Sequence, residues 1–93
     1  MFKINEYFDG QVASIAFQTA SLPATVGVMA VGSFKFGTTQ KETMTVVSGD
    51  LSIKLAGDTD WVNYQTGESF TVEGNSSFEV KTGIETAYLC TYE

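Results

Sequence analysis

Glu42-Thr43-Met44-Thr45-Val46-Val47-Ser48-Gly49-Asp50-Leu51-Ser52-Ile53-Lys54-Leu55 is the stretch from which the fold is read. Leu51, Ile53 and Leu55 alternate with Ser52 and Lys54, the period of a strand with one face buried. The segment before it is rich in Thr and Val, which suit a pleated, half-covered surface. Ser48-Gly49-Asp50 supplies a turn, and Gly49 tolerates the positive φ that a tight reversal needs. The expectation is a hairpin. A lone hairpin is marginal in water, so the rest of the chain must complete a sheet around it.

Outward from this centre, the same pattern recurs. Toward the N-terminus, Gln11 to Gln18 carries Val12, Ile15 and Phe17 as a strand, and Asp9-Gly10 is a turn signal. Met1 to Phe8 reads as an N-terminal strand. Thr19 to Ala24 reads as a loop, because Pro23 cannot donate a ladder hydrogen bond. Ala24 to Phe36 is the longest apolar run. Val26 and Val28 alternate with Gly27 and Met29, which predicts a strand covered on both faces. Toward the C-terminus, Trp61 to Tyr64, Phe70 to Val72, Phe78 to Val80 and Thr86 to Tyr92 read as short strands. Glycines 57, 67, 74 and 83 separate them, at the spacing of a small sandwich or barrel. No window has a helical apolar stripe. The chain is read as one all-β domain, residues 1–93.

The charge is −6, with no histidine or arginine, and the five lysines are scattered along the sequence. A nucleic-acid partner is therefore not expected, since it would require a basic patch. No apolar stretch approaches the roughly 20 residues that span a bilayer, so no membrane role is expected. Cys90 is the only cysteine. With no intrachain disulfide and no signal-peptide pattern, the expected location is the reducing cytoplasm.

Absent residues exclude much chemistry. Without histidine there is no Ser-His-Asp or Cys-His relay. One cysteine cannot build a cysteine-rich zinc site, and the acids show no calcium-loop spacing. No phosphate-binding glycine loop or dinucleotide fingerprint is present. Carboxylates, tyrosines, hydroxyls and backbone N–H groups remain, which suit general acid catalysis and anion or carbonyl binding.

Two patterns point further. Glu42 followed by Gly49 gives E-x6-G, and Gly67 and Gly74-Asn75 fall where a second cupin motif places its turns. Phe36, Thr38 and Phe78 stand where cupins carry metal-binding histidines, so the chain resembles a cupin without a metal centre. Longer strings are more specific: Asn5-Glu6-Tyr7-Phe8, Val26-Gly27-Val28-Met29, Glu42 with Met44-Thr45-Val46, Ser48-Gly49, Trp61 with Tyr64, Gly67, Asn75-Ser76-Ser77-Phe78, and Tyr88-Leu89-Cys90 with Tyr92. Together they resemble the pyrimidine/purine nucleoside phosphorylase family of small bacterial cupin-like proteins. Glu73 departs from the pattern, where a proline before the glycine is expected.

The resemblance implies a small cupin-like β-barrel of jelly-roll type that pairs as a homodimer. It implies phosphate-dependent cleavage of diverse nucleosides (adenosine, guanosine, inosine, xanthosine, cytidine, uridine and thymidine) to free base and sugar 1-phosphate. Inorganic phosphate is the co-substrate, and no cofactor or metal is implied. In the cupin register Phe36, Thr38, Glu42, Met44, Ser76 and Phe78 point into the barrel mouth. Glu42 would bind ribose hydroxyls or stabilise positive charge; it is equally readable as a solvated strand-end carboxylate. Thr38, Ser76 and Ser77, with N–H groups near Asn75, would seat phosphate, against a plain turn-and-cap role. Tyr88 and Tyr64 would stack on the base or donate a proton, against ordinary core packing. Phe36, Met44 and Phe78 would form an apolar base slot or simply core. Trp61 and Cys90 are read as structural. The competing reading is a non-catalytic cupin-like domain that binds a small metabolite or is structural; a third is an interaction module, its N- and C-terminal strands acting as open edges.

Overall fold

A computed structural model describes every residue, Met1–Glu93. Ten strands and no helix make up the chain: β1 (Ile4–Tyr7), β2 (Val12–Gln18), β3 (Pro23–Met29), β4 (Gly32–Gly37), β5 (Glu42–Ser48), β6 (Asp50–Leu55), β7 (Val62–Gln65), β8 (Ser69–Val72), β9 (Ser77–Thr82) and β10 (Thr86–Tyr92). No helix is present that is long and apolar enough to cross a membrane. The strands form two antiparallel sheets: a large one in the order β1-β2-β3-β10-β5-β8 and a small one in the order β4-β9-β6-β7. The all-β, single-layer-pair architecture agrees with the alternation in the sequence.

The central stretch corrects one expectation. β5 pairs with β10 and β8, whereas β6 pairs with β7 and β9. The two strands therefore do not form a hairpin. Gly49 is a corner at which the chain leaves the large sheet and enters the small one. Gly49 has φ of +112°, and a side chain there would collide with Thr86. The corner is held from two sides. Thr66 Oγ1 accepts from the Gly49 N–H at 3.1 Å, and the fully buried Thr86 Oγ1 lies 3.2 Å from the Asp50 nitrogen and 2.9 Å from its carbonyl oxygen. A register shift between Ala87 and Tyr88 against β5 adds a bulge just before the turn, which sharpens the local twist.

Other expectations shift as well. Pro23 opens β3 rather than ending a loop; as the first residue it costs the ladder little. β3 is covered on one face only, since Val26 and Val28 are exposed to 46% and 53%. The C-terminal strand β10 is interior, between β3 and β5, so only β1 and β8 are edges of the large sheet. Three of the lysines come together on the outer face of the small sheet. There Lys35 and Lys54 flank Glu79 in register, and the Lys81 Nζ lies 4.2 Å from the Trp61 ring centre.

The core fills the gap between the sheets. Val12, Met29 and Val46 from the large sheet and Leu51 and Val80 from the small one are completely buried. Phe34, Phe70 and Phe78 pack among them. Burying each such side chain contributes about 1.5–3 kcal/mol, so the sandwich is held mainly by this apolar layer.

The Gly49 corner generates the first prediction. Gly49→Ala should cost about 2 kcal/mol, from backbone strain and displacement of Thr86. It should lower the urea midpoint without changing the far-ultraviolet spectrum. An unchanged midpoint would mean that the corner relaxes freely.

Candidate functional site

Alternation along β10 sends Thr86, Tyr88, Cys90 and Tyr92 inward, and its neighbours supply matching positions. Tyr88 lies opposite Gly27 and Val46, Cys90 opposite Thr25 and Met44, and Tyr92 opposite Glu42. Toward one end of the sandwich this inner face becomes the floor of a cavity of about 190 Å³. Its floor carries Ser14, Glu42, Met44, Tyr88, Cys90 and Tyr92; Phe36, Gly37 and Phe78 close it from the small sheet. Tyr7 reaches in from β1.

Aromatic packing shapes the roof. Phe36 and Phe78, paired in register across β4 and β9, stack with centroids 5.6 Å apart. Phe8 and Asp9 both have positive φ, and the Gly10 N–H donates to the Tyr7 carbonyl at 3.2 Å. These residues open a four-residue connection, Phe8–Gln11, between β1 and β2. It sets Phe8 against Phe34 and Phe36 at 5.0 and 5.4 Å and Tyr7 edge-on to Phe36 at 6.4 Å.

Glu42 is the only charged side chain lining the cavity. Partial burial raises its carboxyl pKa, since the charged form loses hydration. The Cys90 thiol opposes this by donating to Glu42 Oε1 at 3.4 Å. Burial, and then the charge of Glu42, push the thiol itself up to about 12, so it stays protonated as a donor. Tyr88 is pushed up to about 12, first by burial and then by the acidic groups around it, Glu42 among them; Ser14 pulls slightly the other way. Tyr92 is raised by burial, offset in part by Thr25, whose Oγ1 lies 3.0 Å from the phenolic oxygen. One carboxyl group, held by the Cys90 thiol, thus shares an apolar floor with the phenols of Tyr88 and Tyr92. No three acidic or cysteine side chains converge as a metal-ligand set.

Of the residues singled out from sequence, Phe36, Glu42, Met44, Phe78 and Tyr88 meet in this cavity. Thr38, Tyr64, Asn75, Ser76 and Ser77 do not line it. Thr38 is a loop staple: its hydroxyl donates to the Glu73 carbonyl at 2.7 Å and accepts from the Ser76 N–H at 3.0 Å. Asn75 takes a left-handed turn conformation at the surface. Tyr64 packs on Phe70, which in turn touches Phe78, so it backs the roof from behind. Cys90, read from sequence as structural, lines the cavity and holds Glu42. Sequence reasoning also passed over Tyr7, Ser14, Met29 and Tyr92. The available signal was the shared parity of Tyr88, Cys90 and Tyr92 on one strand. Ser14 and Tyr7 gave no such signal, because strand pairing brings them in.

Glu42 generates a pH prediction. Its folded pKa lies above the ordinary 4.5, so its contribution to stability is complete below that value and is lost as pH rises through the folded value. Glu42→Gln should therefore gain stability over the native protein as pH rises from about 4 toward neutrality, measured by urea unfolding. Cys90→Ala should move the Glu42 carboxyl titration, followed by carbon-13 NMR, to higher pH. A downward or absent movement would remove the thiol from this role.

The chain can now be compared with known proteins. The family model described as pyrimidine/purine nucleoside phosphorylase matches residues 2–92. A Magnetococcus marinus protein named pyrimidine/purine nucleoside phosphorylase is 62% identical over 92 residues, covering 99% of each chain. A solved Vibrio parahaemolyticus structure of unknown function is 49% identical with a TM-score of 0.96, over 100% of this chain and 99% of that one. An RmlC-like cupin from Shewanella frigidimarina has a TM-score of 0.76 at 16% identity, over 99% of this chain and 83% of that one, a likeness of fold alone. The fold is cupin-like, and the chain belongs to the pyrimidine/purine nucleoside phosphorylase family.

Proposed function

We propose that this protein cleaves the N-glycosidic bond of purine and pyrimidine nucleosides with inorganic phosphate, releasing free base and sugar 1-phosphate. The observation that carries the reading is a single carboxyl group, Glu42, held by the Cys90 thiol and sharing the floor of an apolar cavity with the Tyr88 phenol. A phosphate oxygen attacks the anomeric carbon and forms the new C–O bond. The C–N bond breaks, its electron pair passes to the base, and a proton is delivered to the base nitrogen. The transition state resembles an oxocarbenium ion by analogy with glycoside cleavage. Ionised Glu42 binds the ribose hydroxyls or faces the positive charge that develops on the sugar. The Tyr88 phenol, protonated at neutral pH, donates toward the leaving base.

Phe36, Met44 and Phe78 form the base slot. Apolar walls without a fixed set of base-edge partners suit a broad range of bases. Ser76 and Ser77, next to Phe78 at the rim, are the proposed phosphate donors, and the Thr38 staple holds that rim in shape. Phosphate is a co-substrate; no metal or other cofactor takes part in the reaction as proposed. A cytoplasmic location fits the reduced, buried thiol of Cys90.

The protein acts as a homodimer in this reading. The outer face of the large sheet presents Ala13, Ile15, Val26, Val28, Ala87 and Leu89 from three adjacent strands, with no charge among them. A second copy facing it across a two-fold axis would cover this apolar patch.

Base release from uridine and from adenosine, with and without phosphate, tests the activity. Release should depend on phosphate for both, and Glu42→Ala should lower kcat/KM by about 100-fold or more. Release of neither base by folded protein with phosphate present would favour a non-catalytic binding domain. Val26→Glu with Val28→Glu should give monomers by light scattering at micromolar concentration; a native protein that is itself monomeric would reject the dimer.

A further inference from the structure

One row of the large sheet has an unusual make-up. Ser14, Gly27, Tyr88 and Val46 sit side by side on β2, β3, β10 and β5, all facing inward. Adjacent strands are about 4.8 Å apart, so a bulky residue normally stands upright between its neighbours. Tyr88 does not. A Cβ placed on Gly27 would lie 2.5 Å from both Cζ and Oη of Tyr88 and 2.7 Å from Cε1. The ring therefore lies flat across the bare Cα of Gly27, with its hydroxyl aimed at Ser14. Val46, completely buried, blocks the opposite direction.

We propose that Gly27 sets the breadth of base recognition, because only a residue without a side chain lets Tyr88 lie against the cavity wall and leaves the space above it open to a bicyclic base. This rests on the cavity being the base-binding site proposed above. The atoms that would meet a Cβ are at the far end of the Tyr88 side chain, so the ring can swing rather than the backbone shift. Its exit is upward into the cavity, toward Phe36 and Phe78, because Val46 and the core fill the other side. A ring so displaced takes space from a purine first and from a pyrimidine later. Ser14 is the partner that holds the flat ring in place. Its hydroxyl is buried in the cavity floor.

The test measures inosine and uridine affinity by calorimetry without phosphate, alongside kcat/KM with phosphate. Gly27→Ala should fold, with a near-native far-ultraviolet spectrum. It should lose affinity for inosine by about tenfold more than for uridine, the usual effect of filling a tight pocket. Gly27→Ala combined with Tyr88→Ala should restore the native inosine-to-uridine affinity ratio, which a merely structural role for Gly27 would not produce. Unchanged ratios in Gly27→Ala, equal losses for both nucleosides, or no rescue in the double variant would overturn the proposal. So would a native protein that binds neither nucleoside. Native binding without turnover would instead count against the phosphorylase reading while leaving the affinity ratios to decide on Gly27.

Discussion

The whole molecule depends on two sheets that face each other while the chain passes repeatedly between them. Each passage must reverse or redirect the backbone within a few residues, and the Gly49 corner does so at the centre of the sequence. Thr66 and Thr86 pin it with side-chain hydrogen bonds from opposite sides. Because β5 then lies in one sheet and β6 in the other, their inward residues meet across the gap and not along a shared ladder. Met44 and Val46 look toward Leu51 and Ile53 through the core. The apolar layer so formed supplies most of the stability.

The same alternation that builds the core also builds the cavity. Inward positions of β10 and β5 carry Thr86 and Val46 toward the Gly49 corner. They carry Tyr88, Cys90, Tyr92, Met44 and Glu42 along the cavity floor. A carboxyl group in that setting costs hydration energy, and the thiol of Cys90 returns part of it. The site is thus continuous with the core in its backbone and differs only in what the inward side chains are. This explains why its walls are apolar and why its polar groups are few and mutually coupled.

The legible part of the site was the part that lies on single strands. Phe36, Met44, Phe78, Glu42 and Tyr88 follow from period-two alternation together with the family resemblance, and they meet in one cavity. Thr38 and Ser76 were placed by the cupin register, and Tyr64, Asn75 and Ser77 were added to them, but none of the five lines the cavity. Thr38, Asn75 and Ser76 stand in loops, where strand parity does not decide direction, whereas Ser77 on β9 has the opposite parity to Phe78 and Tyr64 on β7 packs on Phe70. Cys90 was read as structure because nothing local marks a single buried cysteine. Its role appears only once β5 is seen beside β10, which sets Glu42 within reach of the thiol.

By itself the sequence determined that this chain is all β, single-domain and free of helices, because alternation and turn chemistry are local properties. Its longer strings also carried the family. Tertiary structure decided that Glu42–Leu55 is a corner and not a hairpin, since pairing partners are chosen by contacts distant in sequence. It decided that Val26 and Val28 are exposed, because an apolar strand looks the same whether one face or both are covered. And it decided that Tyr88 lies flat over Gly27 toward Ser14. That arrangement depends on three strands arriving side by side, which no local pattern of residues can specify.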